Sequence, residues 1–169
     1  MKMEFKQTVV AIAVIFGLSV SFNSNAEVAQ PTQSAPTINQ RDAQIAAEKQ
    51  AEQMTSAAIQ VLNLIDQGKS GEIWEGLSST IQPKVSKNTF TQRIAENQST
   101  LGAPSKRQQI SAYRSEANGQ SNIPKGIYYS VIFETNFAKG QGRELVSFRF
   151  DNDQVWRVAG YSLTRTADK

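Results

Sequence analysis

One change of period constrains this chain more than anything else in it. Up to Gly102, apolar residues recur every three or four positions; beyond Pro104 they recur every second position. The first spacing lays side chains along one stripe of a helix, and the second sends them to alternate faces of a strand. A chain that runs helices first and strands second cannot form the alternating units of a parallel sheet. It must pack its helices on an antiparallel sheet whose strands are joined by short turns.

The elements can be placed from this pattern. Met54, Ala58, Val61, Leu62 and Ile65 form one apolar stripe, and Gly68 ends that helix. A short helix follows, with Ser70 as N-cap, Glu72 in its first turn and Ile73, Trp74 and Leu77 as its buried face; Pro83 closes it. A third begins near Ser86, carries Phe90 and Ile94, and stops before Gly102 and Pro104. The strands are RQQISAYRSEA, ended by Asn118-Gly119, then GIYYSVIFETNF, RELVSFRF and QVWRVAGYSL. The expected fold is α+β: three N-terminal helices packed on a curved antiparallel sheet of about four strands.

Two further segments precede this domain. Lys2 and Lys6 stand before an apolar run from Val9 to Phe22, and small residues lead to Ala26. That is the three-part pattern of a cleavable signal peptide, residues 1–26. The run is shorter than the roughly 20 apolar residues of a membrane span. Residues 27–42, EVAQPTQSAPTINQRD, are polar and poor in large apolar groups, and read as a flexible linker. Residues 43–169 then form a single domain. Export to the periplasm is expected, with release outside the cell as the alternative; no membrane attachment is expected after cleavage.

Composition removes several kinds of chemistry. There is no cysteine and no histidine. Disulfides, thiolate nucleophiles, serine–histidine triads and imidazole metal ligands are therefore all excluded. Asp151-Asn152-Asp153 is the densest acidic cluster, but it is too short for a calcium loop and reads as a solvated turn. Gly140 and Gly142 join two strands, so they make a hairpin loop and no phosphate cradle. The formal charge of +3 loses one unit with the leader, and Lys and Arg form no block, so nucleic acid is not an expected partner. No metal or cofactor is expected.

Taken in order, several landmarks carry a resemblance: Asp66-x-Gly68, Trp74, Leu101-Gly102, Arg107, Pro124-x-Gly126-x-Tyr128, Glu144-x-Val146 and Trp156-Arg157-Val158-Ala159-Gly160-Tyr161. Together they resemble the bacterial domain-of-unknown-function family 4019, over about Ala57 to Thr164. Leu62 and Phe90 stand where such proteins often carry tryptophan, and both remain apolar. The resemblance implies a small exported protein shaped like the cystatin and nuclear-transport-factor-two roll. It implies no activity.

Three functions are compatible with such a domain. The first is protein–protein contact through the sheet face away from the helices, either with another periplasmic protein or in a homodimer. Strict alternation puts Tyr128, Ile132, Arg157, Tyr161 and Leu163 on that face, and an apolar patch there marks an interface. The second is a small apolar ligand held between helices and sheet by Trp74, Tyr129, Phe133, Phe148 and Trp156. The third is an acid–base enzyme using Asp66 or Glu134. Asp66 is expected to make a local backbone hydrogen bond or face solvent at a helix end, and Glu134 to point away from the core. The binding domain is the preferred expectation and catalysis the least favoured.

Overall fold

The computed structural model describes residues 38–120 and 122–166. The expected leader and residues 27–37 of the expected linker lie outside that range. Residues 38–42 do not belong to a linker: they are the opening of helix α1, Ile38–Asp66. Polar composition misled here. After Pro36 no proline or glycine interrupts the run, and Gln, Arg and Ala favour helix even without apolar neighbours.

Helix α1 has 29 residues, a length of about 43 Å at the rise of an α-helix. Its buried residues are Met54, Ala58, Val61, Leu62 and Ile65, whereas Ile38 to Lys49 are exposed. Gly68, at φ +71, takes the left-handed turn that stops the helix, where a side chain would be strained. Helix α2 spans Ser70–Glu75, with Lys69 rather than Ser70 at the cap position. A 3-10 turn follows at Gln82–Lys84, and Pro83 lies within it. Helix α3 is Lys87–Leu101, and the Ser86 side chain accepts a hydrogen bond from the Thr89 N–H at 3.1 Å. Among the described residues no helix is long and apolar enough to cross a membrane.

Four strands then pair in chain order as one antiparallel sheet: β1 Pro104–Ala117, β2 Gly126–Phe137, β3 Gly140–Phe150 and β4 Trp156–Arg165. The architecture is the α+β arrangement expected from the change of period. One sheet face carries Tyr129, Val131, Phe133, Val146 and Phe148, and these meet the α1 stripe, Ile73 and Ile94 in a single core.

Two register shifts matter for everything on the sheet. In β1 the pairing slips between Gln109 and Ser111, and in β4 it slips opposite Ser147 and Phe148. Ser147 faces Gly160 while Phe148 faces Val158, so Ala159 is the extra residue of a bulge. Because side chains alternate with period two, one extra residue reverses the phase of the rest of the strand.

Candidate functional site

The bulge decides which residues reach which face. Before it, Trp156 and Val158 pair with Phe150 and Phe148 and lie on the core side. Beyond it, Tyr161 and Leu163 pair with Val146 and Glu144, and so also lie on the core side. The expectation that Tyr161 and Leu163 share the outer face with Arg157 is therefore wrong. Alternation carried through Ala159 as though the strand were regular. Gly160 lands on the outer face instead, and a Cβ added there would meet nothing within 4 Å. It is not a point of close backbone approach.

Three cross-strand rows make up the middle of the outer face. Tyr113, Ser130, Ser147 and Gly160 form the central one. Ser115, Tyr128, Arg149 and Arg157 flank it on one side; Ser111, Ile132, Leu145 and Ser162 flank it on the other. The central row is small from β2 to β4, and Ser130 Oγ and Ser147 Oγ lie 3.2 Å apart. A row of small residues between larger ones leaves a trough of about 510 Å³. Tyr113, Leu145, Ile123 and Pro124 form its walls. The Tyr128 hydroxyl donates to the Pro124 carbonyl at 2.7 Å and pins that wall in place.

Of the expected interface residues, Tyr128 lines this trough and Ile132 sits in the adjoining row. Arg157 shares the face but is not free. It donates to both Asp153 carboxylate oxygens, at 2.7 and 2.6 Å, and to Asp151 at 3.3 Å.

Asp151 corrects the reading of the DND segment as a solvated turn. It is 3% exposed. Its carboxylate accepts from the Ser78 hydroxyl at 2.6 Å, from the Ser79 N–H at 3.2 Å and from Arg149. Burial alone would raise this carboxyl; the bonds from Ser78, Arg149 and Ser79 outweigh it and hold it below the usual carboxylate range. Asp151 thus ties the segment after α2 to the sheet, which local spacing in the sequence gave no means of seeing.

The core side holds a second network. Glu144 is fully buried. One of its oxygens accepts from Arg107 Nε at 2.6 Å and from the Thr135 hydroxyl at 2.5 Å. The other accepts from the Tyr161 hydroxyl at 2.9 Å and from Arg107 Nη2 at 3.3 Å. Arg107 also grips Asp66 through both terminal nitrogens, at 2.5 and 2.8 Å. Asp66, exposed at the end of α1 as expected, is also an ion-pair partner of Arg107 in β1. Burial, then the nearby Glu144 charge and its hydrogen bond, push the Tyr161 hydroxyl far above the ordinary tyrosine range. Burial would lower Arg107, but its bonds to Asp66 and Glu144 dominate and raise it. Each buried oxygen of Glu144 has two donors, as the cost of burying a carboxylate demands.

Tyr129, Phe133 and Phe148 are buried within the core, and Trp156 packs against it, edge-on to Tyr129 at 6.2 Å. Trp74 is elsewhere: its indole N–H donates to the Val85 carbonyl at 2.8 Å, and so it holds the segment before α3. The five residues expected to surround an apolar ligand therefore do not enclose one space. Smaller hollows of about 260 and 300 Å³ lie at the margins between helices and sheet. Glu134, the other carboxylate considered as a base, points outward and pairs with Arg143 at 3.5 Å. Among the described residues no three Asp, Glu, His or Cys side chains group as metal ligands would.

No curated protein and no solved structure matches the chain. A family model described as "Protein of unknown function (DUF4019)" matches residues 57–161, from the buried half of α1 to Tyr161 in β4. That span contains both ends of the Asp66–Arg107–Glu144–Tyr161 network and most of the outer trough, and the chain belongs to this family.

Proposed function

We propose that this protein is an exported, non-catalytic binding domain that receives another protein on the outer face of its sheet. The observation that carries this reading is the trough. A face that none of the described helices covers has a built concavity, floored by serines and glycine and walled by Tyr113, Leu145 and Ile123. Ile123 is 51% exposed and Tyr113 44%, and apolar side chains held open around a concavity are characteristic of contact surfaces. The non-catalytic part rests on the carboxylates. Asp66, Glu134, Glu144 and Asp151 are each bound to an arginine, which leaves none of them poised as a proton acceptor. The leader pattern of residues 1–26 supports export.

Two substitutions at opposite ends of the trough test the proposal. Tyr113→Ala removes one wall. Gly160→Phe fills the other end, where an added side chain meets open space and the fold should tolerate it. Affinity capture from a periplasmic extract should recover a discrete partner with the parent chain and lose it with both variants, while their melting temperatures stay close to the parent's. Equal recovery by all three chains would refute the assignment of the face.

A further inference from the structure

The two edges of the sheet differ in how they are guarded. An open edge presents unpaired N–H and C=O groups, and proteins blunt such edges with proline, charge and bulges. The β1 edge has all three: Pro104, then Lys106, Arg107 and Arg114, and two register shifts. The β4 edge from Ala159 to Thr164 has neither charge nor proline, and its pairing with β3 is regular from Gly160 onward.

The register shows which backbone groups are open. The Thr166 N–H donates to the Gln141 carbonyl at 3.0 Å. Counting back by twos, Thr164, Ser162 and Gly160 also turn their backbone toward β3. Tyr161, Leu163 and Arg165 turn theirs to the open side. The protein already starts a fifth strand at this edge. Leu77 forms a single parallel bridge with Val158, and the Ser78 N–H donates to the Val158 carbonyl at 2.8 Å. The chain then leaves through the 3-10 turn, and no other described strand pairs with the remaining edge.

Helix α3 runs beside this edge and leaves a slot of about 300 Å³ against Ala159–Leu163. Ile81, Val85, Phe90 and Ile94 line it, with Arg93 and Asn97 at its rim. Arg93 is exposed and forms no ion pair with any described residue. A strand edge beside a helix, with an apolar hollow between them, is the geometry that takes up extended peptides. Main-chain bonds then supply affinity, and hollows for alternate side chains supply selectivity.

We infer that the β4 edge accepts an extended segment of a partner protein as a fifth strand, with an apolar side chain in the α3 slot and a carboxylate at Arg93. This rests on the reading of the protein as a binding domain and adds the mode and the chemistry of the partner. A second copy fits less well. Its β4 would bring a slot to a slot, because the side chains it offers on that side, Tyr161 and Leu163, are held by its own sheet.

The probe is a displayed library of random nine-residue peptides selected on the purified chain. Binders should alternate apolar with small residues and carry Asp or Glu near one end. The best binder is then synthesised with N-methyl groups on one or the other set of alternate amides. One set should weaken binding by at least about 50-fold, and the other should leave Kd within about threefold. Bound peptide should slow hydrogen exchange at Tyr161, Leu163 and Arg165. Arg93→Glu should exchange the acidic preference for a basic one, and its exposed position spares the fold. A library without binders, two N-methyl series of equal effect, or protection at β1 would overturn the inference. So would protection of β4 that grows with protein concentration alone, which is the signature of a second copy. These readouts do not involve Tyr113, so the trough and the edge can fail separately.

Discussion

Replacing Arg107 by methionine removes the cation that serves both Asp66 and Glu144. Methionine retains most of the arginine stem, so the change isolates charge and hydrogen bonding from packing. Asp66 loses two bonds, but its side chain is 26% exposed and can turn to water at little cost. Glu144 cannot, because its side chain is 1% exposed. It keeps the hydroxyls of Thr135 and Tyr161 and loses both nitrogens of Arg107. Breaking a buried pair from one side costs about 3–5 kcal/mol, and the partial solvent access of Arg107 places this case near 3. For a domain of this size that is a fall in melting temperature of roughly 10–15 °C. Thermal unfolding followed by circular dichroism reads it directly. Adding Glu144→Gln to the variant should recover about 2 kcal/mol, because a neutral amide can accept from one hydroxyl and donate to the other without a buried charge. In the parent background the same Glu144→Gln change should destabilise. A loss below about 1 kcal/mol for Arg107→Met, or effects that simply add in the double variant, would show that Glu144 does not depend on Arg107.

Two further outcomes follow from the same geometry. Tyr161→Glu puts a second carboxylate beside Glu144, so circular dichroism should show an unfolded or severely destabilised chain rather than a folded one with altered self-association; a folded, stable variant would contradict the inward placement of Tyr161. Ser78→Ala removes a donor from Asp151, whose carboxyl is held below its ordinary value in the folded state. Stability from a lowered carboxyl is present above the unfolded value, about pH 4, and is lost as pH falls through the folded value. The difference in melting temperature between parent and variant should therefore be largest near neutrality and shrink below pH 4, and a difference independent of pH would refute the role of the charged Asp151.

Much of the fold was legible because its signals are local. The α1 stripe, the Ser86 cap and the alternation of Ile127 to Phe133 and of Val146 to Phe150 each lie within a few residues. The candidate surfaces were less legible because they depend on parity and on long-range partners. In VAGYSL the apolar residues Val158, Tyr161 and Leu163 are spaced three and then two, and that break is the mark of the bulge. Glu144 falls in phase with Val146, Phe148 and Phe150, which is the mark of a carboxylate on the core face. Its cation, Arg107, is 37 residues away, and Asp66 is 41 residues from Arg107; neither separation has a local pattern. Asp151 looked like an ordinary turn residue because its partner Ser78 lies 73 residues upstream.

The bulge at Ala159 makes β4 a strand read in two frames. Trp156 and Tyr161 are separated by an odd number of steps, yet both rings face the helices. Deleting Ala159 would take out the extra residue and leave the faces as they are: Val158 would stay opposite Phe148 and Gly160 opposite Ser147, with Tyr161 and Leu163 still turned to the helices. Straightening the bulge with every residue kept would do the opposite: regular alternation from Val158 would swing Tyr161 and Leu163 out and bring Ser162 opposite Glu144. At this point in the chain the local pairing, more than the residue count, decides which side chains meet the helices.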